Sequence, residues 1–406
     1  MTAAPAPASA VGPGGPFSRR LAWIGALSFA SGFPYFFFNE TVPVFLAARG
    51  VSLADIGLAT GASLPWALKF LWAPLVDRLG SRAAWIRSCL ALLGAAMLAF
   101  ATLPLGGATA LAVLLVTYVA LSATQDIAID AYTIETTTAP ELGVANSVRI
   151  GAYRGASFIS SALLLWIAAR AGWAASFGAG GAIFLLFAVA ALALPSTRRR
   201  STVGDPSIGA PIAALFRRPG IWAVLLFTLL FKLDISALEP MTKPFWVQRG
   251  FTLAEISTLT TGRLLATLAG AAIGGVLATR AGIFRALWSL GAVQLLSSLA
   301  YAGAAAGTSR PLIVGAALFE NLAAGLGTAA FLAFLMSMCE RRHAATQFAL
   351  LSAVYALSRW GAGLASGVLA ERMGFAPYFL LTFCAGLPAY LLLPRLRHAR
   401  APDAET

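Results

Sequence analysis

Arg49-Gly50-Val-Ser-Leu-Ala-Asp55-Ile56 returns, little changed, as Arg249-Gly250-Phe-Thr-Leu-Ala-Glu255-Ile256. Each copy opens an apolar stretch. Farther on, Leu75-Val-Asp77-Arg78-Leu-Gly80 is answered by Leu277-Ala-Thr279-Arg280-Ala-Gly282, and Arg154 by Arg359. The offset between copies drifts only as loop lengths allow, so the chain reads as two successive repeats of one plan.

The repeats are built from hydrocarbon-soluble sequence. With 59% hydrophobic and 11% charged residues and a mean hydropathy of +0.80, the chain is far more apolar than soluble domains. Its apolar runs have the length an α-helix needs to cross a bilayer. The ten-residue alternation of a β-barrel is absent. The expected fold is all-α integral membrane, with twelve spans at about 20–47, 54–76, 84–104, 108–136, 145–169, 173–195, 218–241, 253–279, 284–306, 311–338, 345–369 and 375–394.

Residues 1–18, mostly Ala, Pro, Gly and Ser, are expected to be a disordered tail. Six-helix bundles are then expected over 19–195 and 218–394, joined by a polar linker over 196–217 and followed by a tail over 395–406. A net charge of +13 would suggest nucleic acid in a soluble protein. Here it marks topology: Arg19, Arg20, Arg82, Arg87, Arg198, Arg199, Arg200, Arg285, Arg341, Arg342 and others share one face with both termini, while Arg49, Arg170, Lys243, Arg249, Arg310 and Arg372 occupy the other. Both termini are therefore expected to be cytoplasmic. Cys89, Cys339 and Cys384 stand singly, without metal-ligand spacing, and read as packing residues. No cofactor is implied, and a monomer is expected.

Two parallel six-helix repeats around a central cavity resemble the major facilitator superfamily. Ala73-Pro-Leu-Val-Asp77-Arg78-Leu-Gly-Ser-Arg82 is similar to that superfamily's signature loop Gly-x-Leu-Ala-Asp-Arg-x-Gly-Arg-Arg, departing from it at Ala73, Val76 and Ser81. The resemblance implies a cytoplasmic gate latch at Asp77, Arg78 and Arg82. The second copy has Thr279 where the first has its carboxylate, so a latch there is expected to be weaker.

Charged groups inside a bilayer are costly and normally face a protein interior or a watery cavity. Lys69, Arg154, Lys232 and Arg359 fall near the middle of their spans, Arg263 and Glu320 toward the outer side, Asp126 and Asp130 toward the cytoplasmic side, and Asp234 two residues after Lys232. Cations outnumber anions near the midplane on this count, which points to a small anionic solute held by Lys69, Arg154, Lys232 and Arg359 with Glu320 nearby. Tyr35 belongs to the aromatic run Phe33–Phe38, beside Asn39 and Glu40 near the outer mouth, which is expected either to stack a sugar or to anchor the membrane interface. Asp126, Asp130 and Asp234 are candidate proton carriers. The competing reading pairs each cation with a carboxylate to hold helices together, Arg154 with Asp130 for example. Breaks are expected at Gly32-Phe-Pro34, Leu64-Pro65-Trp66, and Glu239-Pro240 with Lys243-Pro244.

Phe29-Ala-Ser-Gly-Phe-Pro34, Lys69-Phe-Leu-Trp-Ala-Pro-Leu-Val-Asp-Arg78, Ala123-Thr-Gln-Asp126-Ile-Ala-Ile-Asp130-Ala-Tyr132, Glu320-Asn-Leu-Ala-Ala-Gly-Leu-Gly-Thr-Ala-Ala330 and Ala345-Thr-Gln-Phe-Ala-Leu-Leu-Ser352 resemble the AmpG muropeptide permeases. That family is related to acetyl-coenzyme A transporters and to siderophore permeases of the RhtX and FptX type. The resemblance implies proton-driven import of anhydro-muropeptides across a Gram-negative inner membrane, with siderophore or acyl-coenzyme A transport as the alternatives. A polytopic membrane enzyme using Asp126 and Asp130 is the remaining alternative; the flanking Ile127, Ala128 and Ile129 offer it no further ligand, and it leaves the internal repeat unexplained.

Overall fold

A computed structural model of the protein describes residues 16–79, 81–102, 108–136, 142–195, 215–217, 219–338 and 344–396. Of the tail expected over 1–18, the linker expected over 196–217 and the tail expected over 395–406, residues 1–15, 196–214 and 397–406 lie outside the described residues, as does Cys339; residues 16–18 and 395–396 are not tail but belong to the first and last helices. Among the described residues the regular structure is entirely helical. Twelve crossings can be followed: α1 (16–48), α2 (53–78), α3 (Arg82–Thr102), α4 (Ala108–Thr136), α5 (142–171), α6 (173–193), α7 (221–248), α8 (Leu253–Ala281), α9 (Ile283–Ala306), α10 (Arg310–Ser337), α11 (Ala344–Met373) and α12 (Phe375–Leu396). Nine described stretches are long and apolar enough to cross a membrane, and one of them, Val148–Ala193, holds both α5 and α6. The two meet at Gly172, whose φ of 83° lies in the left-handed region that glycine tolerates. Cys89 is buried as expected, whereas Cys384 is exposed.

The sequence repeat is also a structural one. Gly50 and Gly250 turn the chain at φ 74° and 75°. The next helix then starts on a hydroxyl cap: the Asp55 N–H donates to Ser52 at 3.1 Å, and the Glu255 N–H donates to Thr252 at 3.3 Å. Arg49 lies 4.4 Å from the Phe45 ring and Arg249 5.2 Å from Phe245. Phe45 meets Phe177 edge-on at 5.0 Å, and Phe245 meets Phe379 likewise at 5.5 Å. These quadrupole-matched pairs anchor one end of each half.

Helix irregularities fall where hydrogen-bonding demands them. α1 runs through Pro34 and widens into a π-helical turn at Phe37–Thr41. α5 does the same at Phe158–Leu163. In α2, the turn before Pro65 tightens to a 3-10 helix at Thr60–Ser63, and another follows at Lys69–Leu71. α7 is continuous through Pro240 and Pro244; its break lies earlier, at Phe231 and Lys232 between Ile221–Leu230 and Leu233–Gln248.

The two halves meet along α2 with α11, α5 with α8, and α1 with α7. Gly57 and Gly367 bring α2 and α11 so close that a Cβ on Gly57 would lie 2.6 Å from the Gly367 nitrogen, and one on Gly367 would collide with the Leu53 carbonyl oxygen. Nearby, the Glu371 carboxylate of α11 accepts from the Ala54 N–H at 2.7 Å, capping an orphan donor at the start of α2. Both π-turns face this seam. A π-turn releases carbonyls from the i to i−4 ladder, and each one here gives a carbonyl to the other half: Lys243 Nζ donates to Glu40 O at 2.7 Å, and Ser257 Oγ to Ala162 O at 2.7 Å. Lys243 also pairs with the Glu40 carboxylate. Lys243 is therefore not a loop charge, as its place near the end of the span suggested; it is 3% exposed inside α7. These cross-half bonds cluster toward the Gly50 and Gly250 turns, where the Lys243 and Glu320 side chains are 3% exposed, whereas toward the other end of the cavity the Asp130 side chain is 48% exposed.

Two expectations follow from this seam. Gly367→Ala is expected to lower the melting temperature of the purified protein, whereas Gly361→Ala, with open space around its Cβ, gains about 1 kcal/mol of helix propensity; equal melting temperatures for the two variants would contradict the close approach. Glu40→Gln strands Lys243, and breaking a buried pair from one side costs about 3–5 kcal/mol. Unfolding titrations should therefore show Glu40→Gln with Lys243→Met losing clearly less than the sum of the single changes, and strict additivity would dissociate the two side chains.

Candidate functional site

Between the halves lies a cavity of about 740 Å³, lined by α1, α4 and α5 on one side and by α7, α8, α10 and α11 on the other. That volume is in the range of sites that enclose small solutes. Its sealed end is a chain of charges. Glu40 pairs with Lys243 and lies 3.9 Å from Arg263; Arg263 reaches Glu320 at 3.5 Å. Asn321 donates to Glu320 at 2.5 Å and accepts from Thr267 at 3.1 Å, which orients the carboxylate.

The waist is aromatic. Tyr35 packs against Phe36 at 5.3 Å, Trp66 at 5.3 Å and Tyr153 at 6.2 Å. From the other half, the Arg359 guanidinium lies 5.9 Å from the Tyr35 ring while pairing with Glu239 at 3.3 Å. Rings with polar tips, facing a cavity, suit a sugar face as well as a neighbouring cation.

Toward the open end stand the two aspartates one helical turn apart on α4. Asp126 accepts from Ser31 at 2.6 Å and lies 3.7 Å from Lys69. Asp130 is bound at 2.6 Å by Arg149, not by Arg154, the partner that the competing reading gave it as an example. Arg154 lines the cavity with Tyr153 and Ser157 and makes no hydrogen bond or ion pair with any described residue.

Arg154, Arg359, Tyr35 and Glu320 thus line one space with Asp126 and Asp130, and Lys69 joins it through its ion pair with Asp126 rather than as part of the wall. Lys232 and Asp234 stand behind the wall in the second half. Lys232 donates to Gln294 at 2.5 Å and to Thr328 at 2.9 Å, and the Gln294 amide donates to both Asp234 oxygens at 3.2 Å. Gln294 therefore bridges a buried cation and carboxylate at the break in α7. Of the gate residues, Arg82 donates to Val76 O at 3.0 Å, tying α3 back to α2; the side chains of Asp77 and Arg78 lie outside those described.

The expected midplane surplus of cations shrinks at the cavity. Among the described residues the wall carries Arg149, Arg154, Arg263 and Arg359 with Glu40, Asp126, Asp130, Glu239 and Glu320; counting Lys69 and Lys243, which pair with Asp126 and Glu40 from behind it, one positive charge remains unmatched. From sequence, Glu239 reads only as a neighbour of Pro240, Lys243 as a neighbour of Pro244 and a charge of the outer face, and Glu40 as part of an outer mouth. Their spacing held a usable signal: 239 and 243 are four apart, so on a continuous helix they share a face with each other.

With this geometry in place, comparisons with known proteins give it a lineage. The Major Facilitator Superfamily model matches residues 24–359. The anhydromuropeptide permease of Escherichia coli strain K12 is 33% identical over 387 residues, 92% of this chain and 79% of that one. Among solved structures, a bacterial homologue of the human lysosomal transporter Spinster aligns with a TM-score of 0.74 at 14% identity, covering 95% of this chain and 98% of its own. The nucleoside transporter NupG aligns at 0.69 and 13% identity, over 94% and 98%. The chain belongs to the major facilitator superfamily, and within it to the AmpG-type permeases.

Proposed function

We propose that the protein imports anhydromuropeptides, the sugar and peptide fragments of cell-wall turnover, across the bacterial inner membrane in company with protons. The observation that carries the cargo is the 33% identity, along nearly the whole chain, to the permease named for that solute. The cavity supports it. An aromatic waist around Tyr35 and Tyr153 suits sugar rings, and paired charges at both ends suit a solute bearing several carboxylates and amides. Both termini, and so the open end of the cavity, face the cytoplasm in this reading, which makes the present form the one that releases cargo inward.

Proton coupling is assigned to Asp126. Its carboxylate lines the cavity, and its ion pair with Lys69 at 3.7 Å is loose enough for a proton to take the place of the cation when the helices move. Asp130, held by Arg149 at 2.6 Å, is the second candidate. A carrier of phosphate-rich acyl groups is disfavoured, because of the four cavity arginines Arg149, Arg263 and Arg359 are already matched by carboxylates.

Right-side-out vesicles containing the protein should accumulate labelled anhydromuropeptide when energised, and a proton-conducting uncoupler should abolish accumulation. Asp126→Asn should lose uphill uptake yet retain exchange of labelled for unlabelled cargo. Vesicles that take up no anhydromuropeptide would remove the cargo assignment, and uncoupler-insensitive accumulation would remove the proton.

A further inference from the structure

The two halves treat an equivalent arginine differently. Arg154 on α5 and Arg359 on α11 occupy corresponding places in the repeat and both line the cavity. Arg359 is neutralised within its own half by Glu239 of α7. Counting back from Arg49 and Arg249, the residue of α1 that stands where Glu239 does is Asn39, an uncharged amide whose nitrogen donates to Tyr35 O at 2.8 Å. The π-turn in α1 shifts its register by about one residue, but the next carboxylate, Glu40, is taken by Lys243 and Arg263 from the other half. The two α4 carboxylates on the cavity wall, Asp126 and Asp130, are taken by Lys69 and Arg149. Every other cation at the cavity has a carboxylate partner, so the unmatched charge resides on Arg154.

We propose that Arg154 is the specificity-determining residue of the cavity, the one that selects a carboxylate on the cargo through a paired hydrogen bond from its guanidinium. A planar guanidinium with no internal partner holds a carboxylate in two parallel bonds, which adds geometric selectivity to the charge attraction. Arg359, already occupied, contributes its plane to the aromatic waist instead. The inference deepens the cargo reading above and rests on it, because it names which part of the solute Arg154 recognises: a carboxylate, while the aromatic waist of Tyr35 and Tyr153 is left to the neutral rings.

The test is equilibrium binding to the purified full chain in detergent, with two probes: an anhydro-disaccharide bearing one free carboxylate, and its carboxamide. Wild type is expected to bind the acid at least about 10-fold more tightly than the amide, the range of one charge-assisted contact. Arg154→Gln should bring the acid down to the amide and leave amide affinity within about twofold. Arg154→Lys should restore part of the preference. A Gln variant that keeps the preference, or that loses acid and amide alike, overturns the assignment, the second result by showing a structural role. A wild type that binds both probes equally also overturns it. Wild type that binds neither probe, while remaining folded by its melting transition, takes down the cargo reading and this inference together.

Discussion

Hydrocarbon does not solvate an ion, and that single constraint organises this molecule. A chain that carries charged side chains through a bilayer must either match each with an opposite charge or give it water. Here the matching runs between helices distant in sequence: Lys69 with Asp126, Arg263 with Glu320, Lys243 with Glu40, Arg359 with Glu239. The pairs are arranged around one cavity, so the requirement that shapes the interior also creates a polar pathway through an otherwise apolar body.

The seal at one end shows how covalent repetition is turned into a gate. Glycine contact between Gly57 and Gly367 lets two helices touch through their backbones, and the two π-turns release carbonyls for Lys243 and Ser257 to bind. Both described π-turns lie in the first half and both donors in the second. Backbone groups of the first half therefore meet side chains of the second, beside the Glu40–Lys243 ion pair, and every one of these closing contacts runs between the bundles rather than within one.

Much of the fold was legible from residues alone, because apolar length and charge sidedness are direct consequences of the solvent. The repeat at Arg49 and Arg249 located the two halves, and the structure adds the matching ring stacks at Phe45 and Phe245. Charge pairing was less legible. Lys243 lies six residues before Arg249 at the end of its span, so hydropathy assigned it to water, while its partner Glu40 lies in the other half. Glu239 was hidden by Pro240, whose ring suggested a break that α7 does not make. Asp130 chose Arg149 over Arg154, a choice between neighbours on one helix that only the packing of α4 against α5 decides.

The account stands on a water-filled cavity between the halves that opens toward the termini and is shut at the Glu40 and Lys243 end. Its most direct measurement uses a cysteine-free protein carrying Ile150→Cys, at an exposed position on the cavity wall, and a membrane-impermeant maleimide applied to one face at a time. Rapid modification from the face bearing the termini, none from the opposite face, and slowing by saturating anhydromuropeptide are predicted. Modification from the opposite face alone, or from neither face in native protein that labels fully once denatured, would contradict it.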